Sequence, residues 1–240
     1  MNQDWTSARI RIGVVDSGHA AAQVPHVAAS AAFVLDGGEP RRVPAEPDRL
    51  GHGSRVGDGL LHCLPQAELL VAQVFRERLA TSAAQVAAAI DWLVDEDARL
   101  INLSLGLREP RPVLAAACAR ALAAGVVLCA SAPARGQPVY PAGFPGVLRV
   151  TGDARCMVPT EIAALGAAHA DYGAHVRPLD GSLDGAGASM ACAWLSGMAA
   201  RHLAAGGSAA SLPGWLAAQA RYHGVEDLES LKREKLKHGH

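Results

Sequence analysis

Three short segments place residues capable of nucleophilic chemistry beside glycine: Gly13-Val14-Val15-Asp16-Ser17-Gly18, Gly51-His52-Gly53-Ser54-Arg55-Val56 and Gly187-Ala188-Ser189-Met190-Ala191. A serine hydroxyl becomes a useful nucleophile when a neighbouring imidazole takes its proton. That imidazole works when a carboxylate holds it in one tautomer. Asp16, His52 and Ser189 supply the three parts, one from each segment. Taken singly, each has a structural explanation: an Asp after a strand is a turn former, a Ser before a helix is an N-cap, and His52 is one of 10 histidines. Their joint meaning depends on the elements that carry them.

Those elements follow α/β logic, with apolar strands and helices alternating along one chain. Residues 10–15 form an apolar run ending in the Asp16-Ser17-Gly18 turn signal, and His52 opens a helical segment over 56–63. Residues 69–75 are almost wholly apolar, as in a strand buried on both faces. Ser82 and Gln85 make a capping box ahead of Val86, Ile90 and Leu93 at helical spacing. Next come a strand over 100–105, an alanine-rich helix over 113–124 stopped by Gly125, and strands over 126–130 and 147–151. Residues 153–187, rich in Gly, Asp and Pro, show no clear period. An apolar helix over 190–205, interrupted by Gly197, precedes a further helix over 215–220 and a charged helical tail at about 226–240. With no repeat and no linker, one domain over 1–240 is expected.

Composition narrows the possible partners. The 240 residues are 50% apolar and 19% charged, enough for a sizeable core. A formal net charge of −1, with no dense basic patch before the chain's end, argues against nucleic acid. The apolar tract over 113–134 contains Arg120, Gly125 and Pro133, so it is not expected to enter a membrane. The polar opening, residues 1–6, lacks the pattern of a signal peptide. Five cysteines, an odd number without a CxxC pair, suit reduced thiols and a cytoplasmic location; all but Cys156 lie in apolar surroundings. No cofactor or metal is expected, His238-Gly239-His240 being read as a solvated terminus. A monomer is expected.

Together, in this chain order, the three segments resemble the subtilase family's Asp-(Thr/Ser)-Gly, His-Gly-Thr and Gly-Thr-Ser-Met-Ala blocks. A fourth block, Ile101-Asn102-Leu103-Ser104-Leu105-Gly106, is similar to the family strand that binds an extended substrate. Tyr140-Pro141-Ala142 and Pro145-Gly146-Val147 resemble later family segments, so the resemblance covers residues 9 to about 220. It implies a subtilisin-like fold, a twisted and mostly parallel sheet with helices on both faces, and peptide hydrolysis through an acyl-enzyme. Ser189 is then the nucleophile, His52 the general base and acid, and Asp16 the carboxylate orienting it. Ser104, Leu105 and Gly106 would bind a peptide or protein substrate in extended form.

The chain also departs from the family pattern. Ala134 stands, by count, where the family has an Asn that donates to the oxyanion, and no Asn follows Asn102. Ala188, Ala193 and Trp194 replace a usual Thr, Pro and His, and Asp58 replaces a Gly. Asp16 lies so near the start that no inhibitory propeptide is expected. These features predict a slow, narrow intracellular endopeptidase that removes a leader peptide from a partner. Within the family the chain is most similar to the compact bacterial type that processes the small cross-linked subunit of quinohemoprotein amine dehydrogenase. The alternative is a catalytically silent subtilase-like module that grips an extended peptide; an esterase fits less well, because the peptide-binding strand is kept.

Overall fold

The computed structural model describes residues 9–225. The expected helical tail beyond residue 225, with His238 and His240, lies outside the described residues. All ten described strands join one sheet in the order β10-β8-β9-β7-β6-β5-β1-β4-β2-β3. Its centre is parallel: β1 (Arg11–Asp16) lies between β4 (Glu68–Gln73) and β5 (Leu100–Leu103), and β6 (Val127–Ser131) and β7 (Leu148–Gly152) continue outward from β5.

The apolar runs of these strands fill two cores, one on each face of the sheet. Ile12 and Val14 of β1 join Leu69 and Val71 of β4 beneath α1 (His52–Cys63) and α4 (Ala188–Ala204). Val15, Leu70, Ile101 and Leu128 face the other way, onto α2 (Ala83–Asp95) and α3 (Pro112–Ala123). The Ser82 hydroxyl accepts from the Gln85 amide at 3.2 Å while Gln85 Oε1 accepts from the Ser82 amide at 3.1 Å, so α2 starts as its capping box dictates. The short α5 (Leu212–Gln219) packs on the α4 side.

The structure adds elements that the sequence pattern left out. Residues 19–51, to which the sequence pattern assigned no element, contain β2 (Val27–Asp36) and β3 (Glu39–Val43), an antiparallel hairpin closed at Gly37-Gly38. Both glycines have positive φ, 60° and 91°, as a two-residue hairpin turn of the primed type requires. The stretch after β7 holds β8 (Ile162–Ala164) and β9 (Tyr172–Ala174), and β10 (Tyr222–His223) pairs with β8.

Gly197 does not interrupt α4, contrary to the expectation from sequence. The helix runs unbroken past it because the glycine serves packing. A β-carbon at Gly197 would lie 2.6 Å from Cys63 Cβ and 2.9 Å from its Sγ, so α4 and α1 approach closely here. These helices carry Ser189 and His52 at their starts, and their spacing is set here. Gly197→Ala gains about 1 kcal/mol of helix propensity. The overpacking it creates costs about 1–3 kcal/mol, and more when two helix backbones rather than a flexible side chain must yield. Net destabilisation of up to about 2 kcal/mol is expected in urea unfolding; a stabilised variant would show that the contact is slack.

Candidate active site

The carboxyl ends of β1 and β5 lie side by side, and the chain leaves them in opposite directions, to β4 and β2 on one side and to β6 on the other. Such a switch point opens a crevice in a parallel sheet. Asp16 ends β1, Ser104 follows β5, and α1 and α4 begin nearby with His52 and Ala188-Ser189.

Asp16 is 0% exposed, so its carboxylate must be satisfied from within. The Ser17 amide donates to Oδ1 at 2.7 Å, and His52 Nδ1 lies 2.7 Å from Oδ1 and 2.9 Å from Oδ2. A carboxylate only accepts, so Nδ1 carries the proton and Nε2 is left with its lone pair. The main chain at Asp16 is fixed as well, since its carbonyl accepts from the amides of Val74 and Phe75. The glycines of the two motifs pack against each other. A β-carbon at Gly53 would collide with the carbonyl oxygen of Gly18, whose φ of 125° itself favours glycine. The Gly53 amide donates to Ser17 Oγ at 2.8 Å, so consecutive residues of one motif bind consecutive residues of the other.

Ser189 stands in the first turn of α4, where backbone N–H groups have no partner within the helix. Gly187, before the helix, has φ 152° and ψ −164°, a region essentially reserved for glycine. The Ser189 hydroxyl donates to the Ser104 carbonyl at 3.2 Å, and no hydrogen bond joins it to His52. Below it runs a buried polar chain that motif reading missed. Ser104 Oγ lies 2.9 Å from the Ser189 carbonyl and 2.8 Å from Asn102 Oδ1, while Asn102 Nδ2 donates to Ser196 Oγ at 3.0 Å. The signal for it was a lone Asn in an otherwise apolar strand.

Residues 104–106 lie just past the paired part of β5, which ends at Leu103 rather than at Leu105 as expected. The Leu105 side chain is buried, and its carbonyl accepts from Ser131 Oγ at 3.2 Å. Ser131 is therefore already engaged and is no ready substitute for the missing Asn, while Ala134 is exposed in the loop after β6. Gly106 is exposed, and its N–H and C=O have no partner among the described residues. A β-carbon there would meet Val139 Cγ2 at 2.9 Å. The remaining departures have structural places: Asp58 accepts from Gln23 Nε2 at 2.7 Å, and Trp194 donates to the Arg177 carbonyl at 2.9 Å.

Sequence reading also passed over Asp48, Gln73 and Gln23. Asp48 caps the turn before His52, and the buried Gln73 donates to the carbonyls of Ser17 and Glu46. Gln23 donates to the Ser54 carbonyl at 2.7 Å. The spacing Asp48-x-x-Gly51 is a turn signature that could have flagged the first of them.

The thiols do not compete as nucleophiles. All five cysteines are free thiols; Cys63 is partly buried and the other four, Cys156 among them, are buried. Burial pushes Cys63 to about 11 and Cys118, Cys129 and Cys156 to about 12, and it holds Cys192 well above the ordinary range. Among the described residues no cluster of three or more His, Cys, Asp or Glu could hold a metal ion, and no helix is long and apolar enough to cross a membrane.

The model of the subtilase family matches residues 9–154, well over half of the chain. The chain belongs to the subtilase family. Asp16 and His52 fall inside the matched span and Ser189 beyond it. This subtilase is 30% identical over 151 residues to a thermostable alkaline protease of Halalkalibacterium halodurans, covering 58% of this chain and 40% of that protein. It is 27% identical over 160 residues to subtilisin Savinase of Lederbergia lenta, covering 62% and 57% of the two. The match thus spans only about half the length of these relatives. Among solved structures, the S41 psychrophilic protease superposes with a TM-score of 0.66 at 20% identity, over 92% of this chain and 88% of that one. The prenylagaramide maturation protease PagA gives 0.61 at 19% identity, over 85% and 81%. These likenesses establish the subtilisin-like fold.

Electrostatics at His52 yield a prediction. Burial opposes a charged imidazole, but the hydrogen bond and charge of Asp16, with the charge of Asp48, outweigh it and the opposition of Arg55. The pKa therefore lies above the ordinary 6.5. A raised histidine pKa means stability fully present below the unfolded value and lost as pH rises through the folded one. Urea unfolding of the wild type should therefore show a His52 contribution that is constant well below pH 6.5 and lost as pH rises from about 6.5 through the folded pKa, and Asp16→Asn should flatten that fall. Parallel curves for the two proteins would refute the coupling.

Proposed function

We propose that this subtilase is a serine endopeptidase in which Ser189 attacks, His52 shuttles the proton and Asp16 orients His52. The observation that carries the reading is the Asp16–His52 pair. A fully buried carboxylate holds Nδ1 at 2.7 and 2.9 Å, in the tautomer that leaves Nε2 able to accept a proton. In the resting arrangement the Ser189 hydroxyl is turned to the Ser104 carbonyl; catalysis requires a side-chain rotation that brings it to His52. Hydroxyl contacts of this kind commonly tighten only with substrate bound. The unpaired backbone at Gly106 would take an extended peptide as an added strand, with Ser104 and Leu105 completing the wall.

Attack at the scissile carbonyl forms a tetrahedral oxyanion. The N–H of Ser189, at the positive end of α4, is the donor this chain supplies for it. Loss of one further donor, as at Ala134, typically costs about 10²–10³-fold in turnover. A slow enzyme suits a single dedicated cut better than general digestion. We therefore propose an intracellular role in maturation: removal of a leader peptide from one partner protein, acting as a monomer. PagA, a fold neighbour, carries a maturation role in its name. The candidate precursor is the small subunit of quinohemoprotein amine dehydrogenase, on the motif resemblance noted above.

The second reading, a silent module that grips a peptide, is favoured by the Ser189–Ser104 contact and by Ala134. A fluorophosphonate probe separates the two, because only an activated serine reacts. Labelling of the wild type, absent in Ser189→Ala and His52→Ala, is expected, together with a loss of peptide hydrolysis of about 10⁴-fold or more. A Ser189→Ala protein that still cleaves at the wild-type rate would overturn the assignment. The maturation role is tested with the cognate precursor and with casein. One cut at the leader junction and little casein hydrolysis are expected, whereas many cuts of no common sequence would refute a dedicated role.

A further inference from the structure

His52 is the first residue of α1, so its position depends on whatever fixes the turn before it. That turn ends in Gly51, with φ 69°, which has no side chain to cap the helix. Asp48 does so from three residues further back. Its Oδ1 accepts from the amides of Leu50 at 3.0 Å and Gly51 at 2.8 Å. Its Oδ2 accepts from the Ser54 amide at 2.9 Å and the Ser54 hydroxyl at 2.6 Å. One carboxylate thus binds the chain on both sides of His52. Its own backbone is pressed on the other catalytic motif, since a β-carbon at Gly18 would lie 3.3 Å from Asp48 Cα.

Two carboxylates therefore serve one imidazole in different ways. Asp16 touches the ring, while Asp48 touches the backbone that carries it. Burial would raise the Asp48 pKa, but donors from Ser54, Ser17 and Gly51 outweigh it and keep the group charged at neutral pH. The charged groups acting on His52 are Asp16 from β1, Asp48 from the turn before α1, and Arg55 from α1, itself paired to Asp184 at 2.9 Å.

We propose that Asp48 is a positioning residue for His52, fixing the first turn of α1 that carries the imidazole. The proposal rests on the reading of His52 as the general base. Asp48→Asn keeps the size of the side chain, removes its charge and disrupts its bonds to Ser54. In the full chain, an NMR titration of His52 should give a lower pKa in the variant. The acid limb of kcat/KM should move to lower pH with it, and plateau kcat should fall about 10- to 10²-fold with KM little changed. A folded Asp48→Asn protein with the wild-type His52 titration and the wild-type plateau kcat would overturn the proposal.

If that variant fails to fold, Ser54→Ala carries the test, because it deletes the 2.6 Å contact and leaves the charge in place. Amide hydrogen exchange over residues 50–53 should then quicken about 10-fold or more, with the His52 pKa retained. Unchanged exchange would refute the clamp. The titration and the exchange measurement need no turnover. A chain that reacts with no fluorophosphonate and cleaves no peptide would therefore sink the peptidase reading and leave the Asp48 test standing.

Discussion

A carboxylate placed where no water reaches it must find its hydrogen bonds in the protein, and at Asp16 that requirement organises the carboxyl edge of the sheet. The Ser17 amide meets part of the demand, and the rest falls to His52, which belongs to a helix beginning 36 residues later. That helix can come close enough only if nothing projects from the two backbones between them. Hence the mutual contact of Gly18 and Gly53, and the bond from the Gly53 amide to Ser17 Oγ. Gln73, which is buried, then fills the space under the turn with donors and an acceptor for Ser17 and Glu46. Each of these is a local solution to the same problem of desolvation.

Ser189 is placed by a separate device. Its helix is drawn to α1 at Gly197 and tied to β5 through Asn102, Ser104 and Ser196, all buried and all hydrogen-bonded. A buried polar chain inside an apolar layer favours one register of α4 over its neighbours, because any slip would leave its polar groups unmet. The two halves of the site are thus built on different strands, one on β1 and α1, the other on β5 and α4, with the two helices in contact at Gly197. They meet because β1 and β5 are adjacent and parallel.

Much of this was legible from residue types alone. The long apolar strands announced themselves because strands buried on both faces need unbroken apolar runs, and the Asp, His and Ser blocks stood out through their glycines. The β2–β3 hairpin escaped because β2 is rich in small residues and only partly buried, so its alternation is faint; the Gly37-Gly38 turn was the stronger cue. Strands of three residues, such as β8 and β9, are too short for any period to register. Gly197 misled because glycine's cost to a helix is local and visible in sequence, whereas its benefit depends on Cys63, a residue 134 positions away. Asp48 and Asn102 were missed for a related reason. What they bind is mainly backbone or a distant helix, so the turn spacing at Asp48 and the lone Asn in an apolar strand mark the residues without naming their partners.

The outer rim of the sheet has a consequence for how this molecule coexists with other chains. Its terminal strand β3 carries Pro40, Arg41 and Arg42, where a missing donor and crowded charge discourage a newcomer, and at the opposite end β10 is only two residues long. Sheets of this size commonly risk recruiting stray strands along their margins, the first step towards aggregation. Here both margins are inhospitable, whereas Gly106, beside the hydroxyl, keeps its backbone groups unpaired. In the proposed reading, the backbone left open at Gly106 receives a substrate near Ser189, away from the margins where identical sheets would stack.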